Sequence, residues 1–175
     1  MNVKKLLMCG AVVALMCGGF ASCSDDEPDT PKASWYTGTF VGDNTVTVGG
    51  QYSYTAVDQN YVLTEAKDGT VTVSIPEYSL SGTIMGDLTV GAITVSGLQY
   101  DAATGTYTKD YGSDGLTIHF KAVAGGQTSM DADYPINAGS TLTVAKDGEN
   151  RIKVTNSFRL GKMPFPLVAV FTGAK

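Results

Sequence analysis

From Trp35 onward, apolar and polar side chains alternate with a period of two, the spacing that sends successive residues to opposite faces of a strand. In Thr70-Val71-Thr72-Val73-Ser74-Ile75 the two valines and the isoleucine share one face, and the hydroxyl residues share the other. Leu116, Ile118 and Phe120 stand against Thr117, His119 and Lys121 in the same way. Leu142 and Val144 repeat the pattern, as do Ile152 and Val154 facing away from Arg151 and Lys153. No window after the first 22 residues carries a helical stripe, so the pattern predicts an all-β domain.

Turn chemistry punctuates these strands. Asp68-Gly69 and Asp147-Gly148 are hairpin signals, while Thr104-Gly105 and Gly112-Ser113-Asp114-Gly115 mark looser connections. Segments 63–73 and 142–154 share Lys-Asp-Gly at the same place, one hairpin chemistry used twice. Along 88–95 the apolar positions change parity near Gly91-Ala92, which predicts a β-bulge. A longer loop is expected from Gly125 to Asp133. The last strand, Phe165 to Phe171, is apolar on both faces and should pair centrally under cover. About eight to ten antiparallel strands result, joined mostly as neighbours. Either a closed barrel or a sandwich satisfies that pattern.

The first 22 residues depart from it. Lys4 and Lys5 precede an apolar run from Leu6 to Phe20, too short and wrongly flanked for a spanning helix, which reads as an export signal. The run ends in Phe20-Ala21-Ser22-Cys23, which resembles the lipobox of bacterial lipoproteins, with Phe20 where that motif usually has Leu. The resemblance implies cleavage before Cys23, diacylation of that cysteine and attachment to a membrane; ordinary signal-peptidase cleavage after Ala21 is the alternative. Residues 1–22 are therefore read as signal peptide, 23–33 as a lipidated acidic tether and 34–175 as one domain. The tether, Ser24-Asp25-Asp26-Glu27-Pro28-Asp29-Thr30-Pro31, cannot bury apolar area. It resembles the acidic tract behind the anchor cysteine of surface-exported Bacteroidetes lipoproteins, which implies an outer-membrane, surface-exposed location; a solvated linker is the alternative.

Composition agrees with a folded β domain: 43% of the 175 residues are hydrophobic and 17% charged, with 21 glycines and nine tyrosines. The formal charge is −5, and losing Lys4 and Lys5 with the leader takes it to −7, which disfavours nucleic acid as a partner. All three cysteines lie at or before position 23, leaving the domain without disulfides or thiolate metal ligands.

Catalytic signatures are sparse. His119 is the only histidine and, between Ile118 and Phe120, should face solvent. No Ser-His-acid set can be assembled, and zinc lacks a second histidine. Asp131 with Asp133, or Asp110 with Asp114, offer oxygens for calcium, but neither spacing is a calcium motif, and a solvated loop is the simpler reading. Gly49-Gly50 and Gly125-Gly126 are turn glycines without the helix a phosphate loop needs. Neither catalytic residues, metal nor cofactor are expected.

Trp35-Tyr36-Thr37-Gly38-Thr39-Phe40, DGTVTVSIPEYSL (68–80), MGDLTVGAITVSGL (85–98), Thr106-Tyr107 and the closing VAVFTG (168–173) together resemble the calycin-like domains of Bacteroidetes lipoproteins. The resemblance implies a lipocalin-like antiparallel barrel of about eight strands, opened at one end. It implies that Trp35 closes the barrel under an arginine, Arg159 or Arg151; Ala33 replaces the glycine usual two residues before that Trp. It brings no established activity. Tyr52, Tyr54, Tyr61, Tyr78, Tyr100 and Tyr107 lie on or beside strands and are the candidate ligand contacts, each an apolar ring with a polar tip; ordinary strand packing is the competing reading. The expected function is a lipid-anchored envelope protein binding a small apolar or amphipathic molecule. The alternative is a non-enzymatic interaction module with a protein partner in the envelope, such as an adhesin or accessory subunit.

Overall fold

A computed structural model describes residues 35–162 and 166–175; the signal, Cys23, the tether and Phe165 lie outside the described residues. Those residues form twelve strands and no helix: β1 (Gly38–Val48), β2 (Tyr52–Glu65), β3 (Val71–Ile75), β4 (Tyr78–Thr83), β5 (Gly86–Val90), β6 (Ile93–Asp101), β7 (Thr106–Asp110), β8 (Thr117–Ala124), β9 (Gln127–Pro135), β10 (Thr141–Lys146), β11 (Arg151–Phe158) and β12 (Leu167–Ala174). Eight of them close an antiparallel barrel in the order β1-β12-β11-β10-β7-β6-β3-β2. The other four form a second sheet in the order β4-β5-β8-β9.

Two hairpins leave the barrel to build that sheet. β4 and β5 stand between β3 and β6, which pair with each other; β8 and β9 stand between β7 and β10, which do the same. The pairings Ile75 with Ile93 and Thr141 with Asp110 place both exits at the end where β1 finishes, β2 begins and β12 begins, here called the upper end. β5 pairs with β8 and joins the hairpins.

Two expectations change. Gly91-Ala92 is not a bulge but the crossing from one sheet to the other, and the parity changes because β5 and β6 bury their faces in different places. A Cβ on Gly91 would lie 2.9 Å from that of His119, so glycine permits the crossing against β8. The expected loop from Gly125 to Asp133 is mostly strand β9, an edge strand of which Met130 and Tyr134 turn towards the barrel while most of its other residues are exposed. The last strand starts at Leu167 and does pair centrally, with β1 and β11. Register shifts lie elsewhere, and the one in β2 bears on the site. Asp58 adopts a left-handed φ of 56°, its N–H donating to the Asp43 carboxylate at 3.3 Å, and one extra residue stands opposite the Gly42 to Asn44 step. Tyr54 and Ala56 before it, and Tyr61 and Leu63 after it, all turn inward despite opposite parity. Without that residue one of the two pairs would face solvent.

The predicted Asp68-Gly69 turn is present: the Asp68 carboxylate accepts from the Thr70 hydroxyl at 2.8 Å and from its N–H at 3.1 Å, which holds its pKa below the usual range.

Candidate functional site

The interior differs along the barrel axis. At the lower end Trp35 meets Tyr36 edge-on at 5.1 Å, and Tyr36 packs on Tyr107 at 4.4 Å, with Tyr100 5.2 Å from Tyr107 on its other side. The Tyr36 hydroxyl donates to Glu65 at 3.2 Å. Above this plug Tyr61 stacks on Phe171 at 3.9 Å, nearly parallel. Higher still the lining turns polar: Tyr111 donates its hydroxyl to Asn156 at 2.5 Å. Asn44 is wholly buried with neither amide atom hydrogen-bonded, although the Tyr78 phenol lies beside it. Burial pushes the Tyr61, Tyr78 and Tyr111 phenols upward, so all three stay neutral at physiological pH.

Packing stops one layer further up. A cavity of about 380 Å³ lies between the upper barrel end and the second sheet. The barrel supplies Val46, Val48, Tyr54, Phe158 and Leu167, the last inward residues before the strands end. The sheet supplies Leu80, Leu88, Val90, Phe120, Met130 and Tyr134, all on the face turned to the barrel. The β4–β5 turn, with Thr83, Ile84 and Met85, bends over Tyr54, whose hydroxyl accepts the Ile84 N–H at 3.1 Å. Leu160 and Lys162 complete the wall. Gly161 between them donates its N–H to Pro135 at 3.2 Å and accepts from the Asn137 amide at 2.5 Å, tying this segment to the end of β9. Lys162 is exposed at the rim and, among the described residues, is the one charged residue of the lining, which holds no carboxylate, imidazole or thiol.

Of the six tyrosines singled out in the sequence, Tyr54 lines the cavity. Tyr78 sits beneath it, Tyr61 stacks deeper in the barrel, Tyr100 and Tyr107 belong to the lower plug, and Tyr52 is half exposed on β2. Trp35 is at the lower end, but Arg159 is not: it follows β11 at the upper end, where its N–H donates to the Ser140 hydroxyl at 2.9 Å. The pairing of Trp35 with Arg159 is therefore not made, because β11 runs away from the plug. Arg151, at the lower end, faces Asp147 at 3.7 Å. The apolar wall and Lys162 are not among the residues the sequence singles out. Alternation in β5 and β8 marks the inward residues, but nothing local says that they face a void.

His119 lies on the far face of the second sheet, with Nδ1 2.8 Å from Asp133 and Nε2 3.1 Å from Asp131. Lys121 reaches Asp131 at 3.6 Å. Hydrogen bonding to Asp133 first, then the charges of both carboxylates, raises the imidazole pKa above its ordinary 6.5. Asp114 pairs with Lys109 at 2.6 Å, while Asp110 accepts the Gly112 N–H at 3.1 Å. Among the described residues no group of three or more His, Cys, Asp or Glu could hold a metal ion.

A family model described as a calycin-like beta-barrel domain matches residues 36–174. Among solved structures, a "putative outer membrane protein" from Bacteroides fragilis NCTC 9343 is similar at 20% identity with a TM-score of 0.54. That match covers 79% of this chain and 50% of the other, so the chain spans half of its neighbour's length, and the likeness is one of fold. A search of the curated proteins returns no match.

Proposed function

The chain belongs to the calycin-like β-barrel domain family, and on that premise we propose that it is a lipid-anchored envelope protein that binds a small apolar or amphipathic molecule between the barrel mouth and the second sheet. The observation that carries this is the cavity. Its volume falls in the range of about 300–1,000 Å³ usual for ligand pockets, whereas cores this apolar are otherwise packed to crystal density. The wall has the chemistry of a binder: apolar side chains with two tyrosine hydroxyls, a threonine and a rim cation, and, among the described residues, no converging acid, base or nucleophile. Export, lipidation of Cys23 and outer-membrane location rest on the leader, and the Bacteroides neighbour, an outer membrane protein by its name, supports the same location.

Native mass spectrometry tests this reading. The full chain carrying Cys23→Ser, so that no covalent lipid competes, is incubated with a lipid extract of the host. One discrete non-covalent adduct is expected, lost in Leu88→Trp, whose indole fills the cavity. No adduct, or one that survives Leu88→Trp, contradicts the proposal.

A second reading has its own observation. Ile84 is 65% exposed and Met85 37% at the tip of the β4–β5 turn, beside the unpaired edge of β4. An apolar tip on an open edge suits a protein partner in the envelope, and placing a charge at Ile84 would abolish that contact.

A further inference from the structure

Lys162 says which kind of molecule the cavity takes. Its backbone is fixed by the Gly161 hydrogen bonds to Pro135 and Asn137, which set the side chain at the rim next to Tyr134. Among the described residues its ammonium makes no ion pair, whereas Lys109, Lys121 and Arg151 each face a carboxylate. The cavity thus has a cation without an ion pair at its mouth, and a wall that is otherwise mostly apolar, with only the Tyr54 and Tyr134 hydroxyls and Thr83 as polar groups among the described residues. The deep end offers nothing for a polar head: Asn44 and Tyr78 lie one layer below, and the Asn44 amide is sealed from it. A charged group buried there would go unpaired, at a cost far beyond any gain from packing. The protein as a whole is acidic and has no general attraction for anions, and Lys162 is the cation that stands at the mouth of the cavity.

We infer that the ligand is a single-chain amphiphile with an anionic head group, its tail among Leu80, Phe120 and Leu167 and its head on Lys162. This rests on the binding role proposed above. A volume of about 380 Å³, near the bottom of the ligand-pocket range, holds one chain and not two.

Calorimetric titration of the Cys23→Ser chain with decanoate and with decanol separates head from tail. Decanoate should bind about fivefold more tightly than decanol, the scale of one rim ion pair, and the margin should shrink as salt rises. Lys162→Met should erase the margin and leave decanol unchanged; Lys162→Glu should reverse it. Equal binding of both probes, or an equal loss of both in Lys162→Met, overturns the anionic head while the binding role stands. Binding of neither probe overturns both. Lys162 is exposed, so unchanged thermal unfolding of the variants confirms that folding is not what changed.

Discussion

The two ends of the barrel solve the same problem in different ways. At the lower end the chain enters through Trp35 and Tyr36, and aromatic rings fill the opening directly, Tyr36 settling its hydroxyl on Glu65. At the upper end two hairpins fold away from the barrel and cover it with a sheet. A plug made of side chains packs to the density of a core; a lid made of backbone spans the opening and leaves a void beneath it. Room for a ligand follows from how an end is closed, not from the barrel itself, whose middle is filled by Tyr61, Phe171 and their neighbours.

Truncation should expose that difference most sharply. Tyr36→Ala removes a fully buried ring from the plug and is expected to cost about 3–5 kcal/mol. Leu80→Ala, equally buried but already bordering empty space, should cost only about 2 kcal/mol, because fewer contacts are lost on its open side. Chemical denaturation of both variants gives the comparison. If Leu80→Ala is as costly as Tyr36→Ala, the upper end is packed like the lower.

Between the ends lies the buried Asn44 amide. Replacing it with leucine removes two polar atoms without hydrogen bonds and should stabilise the protein by about 1 kcal/mol. A loss of similar size in the same denaturation experiment would mean that the amide does find a partner in solution.

The smallest effect concerns the outer face of the lid. His119 has a raised folded-state pKa, so its pairing with Asp131 and Asp133 strengthens the sheet fully below the ordinary value of 6.5. That contribution is lost as pH rises through the folded value. Lys121 also faces this cluster, 3.6 Å from Asp131. An NMR titration of the imidazole should give a midpoint above 6.5 that falls in Asp133→Asn; an unmoved midpoint would show that the carboxylate does not hold the ring.

Much of the barrel is legible in the sequence, because its strands alternate cleanly and their Asp-Gly turns have local chemistry. Val71, Val73 and Ile75, Leu142 with Val144, and Ile152 with Val154 all point inward as their spacing says. What alternation does not carry is which sheet a strand joins. Leu88 and Val90 show the same period whether they face a barrel lumen or the underside of a lid, so the parity change at Gly91-Ala92 reads as a bulge. β9 is hard to read because it is an edge strand with only Met130 and Tyr134 partly buried, a weak apolar signal beside the Gly125-Gly126 turn. The bulge at Asp58 is hidden in a polar stretch, although it is what turns Tyr54 into the cavity. Lys162 carries no local signal at all; its meaning comes from Pro135 and Asn137, more than twenty residues away.

The central claim is that the void beneath the lid is the binding site. Isotope-edited NMR on the methyl-labelled Cys23→Ser chain, mixed with unlabelled decanoate, reads the location directly. Intermolecular contacts should appear at the methyls of Val46, Leu80, Leu88 and Leu167, and be absent at Leu63 and Val144 deeper in the barrel. Contacts confined to Val41 or Val57 on the outer wall, or none anywhere, would contradict it.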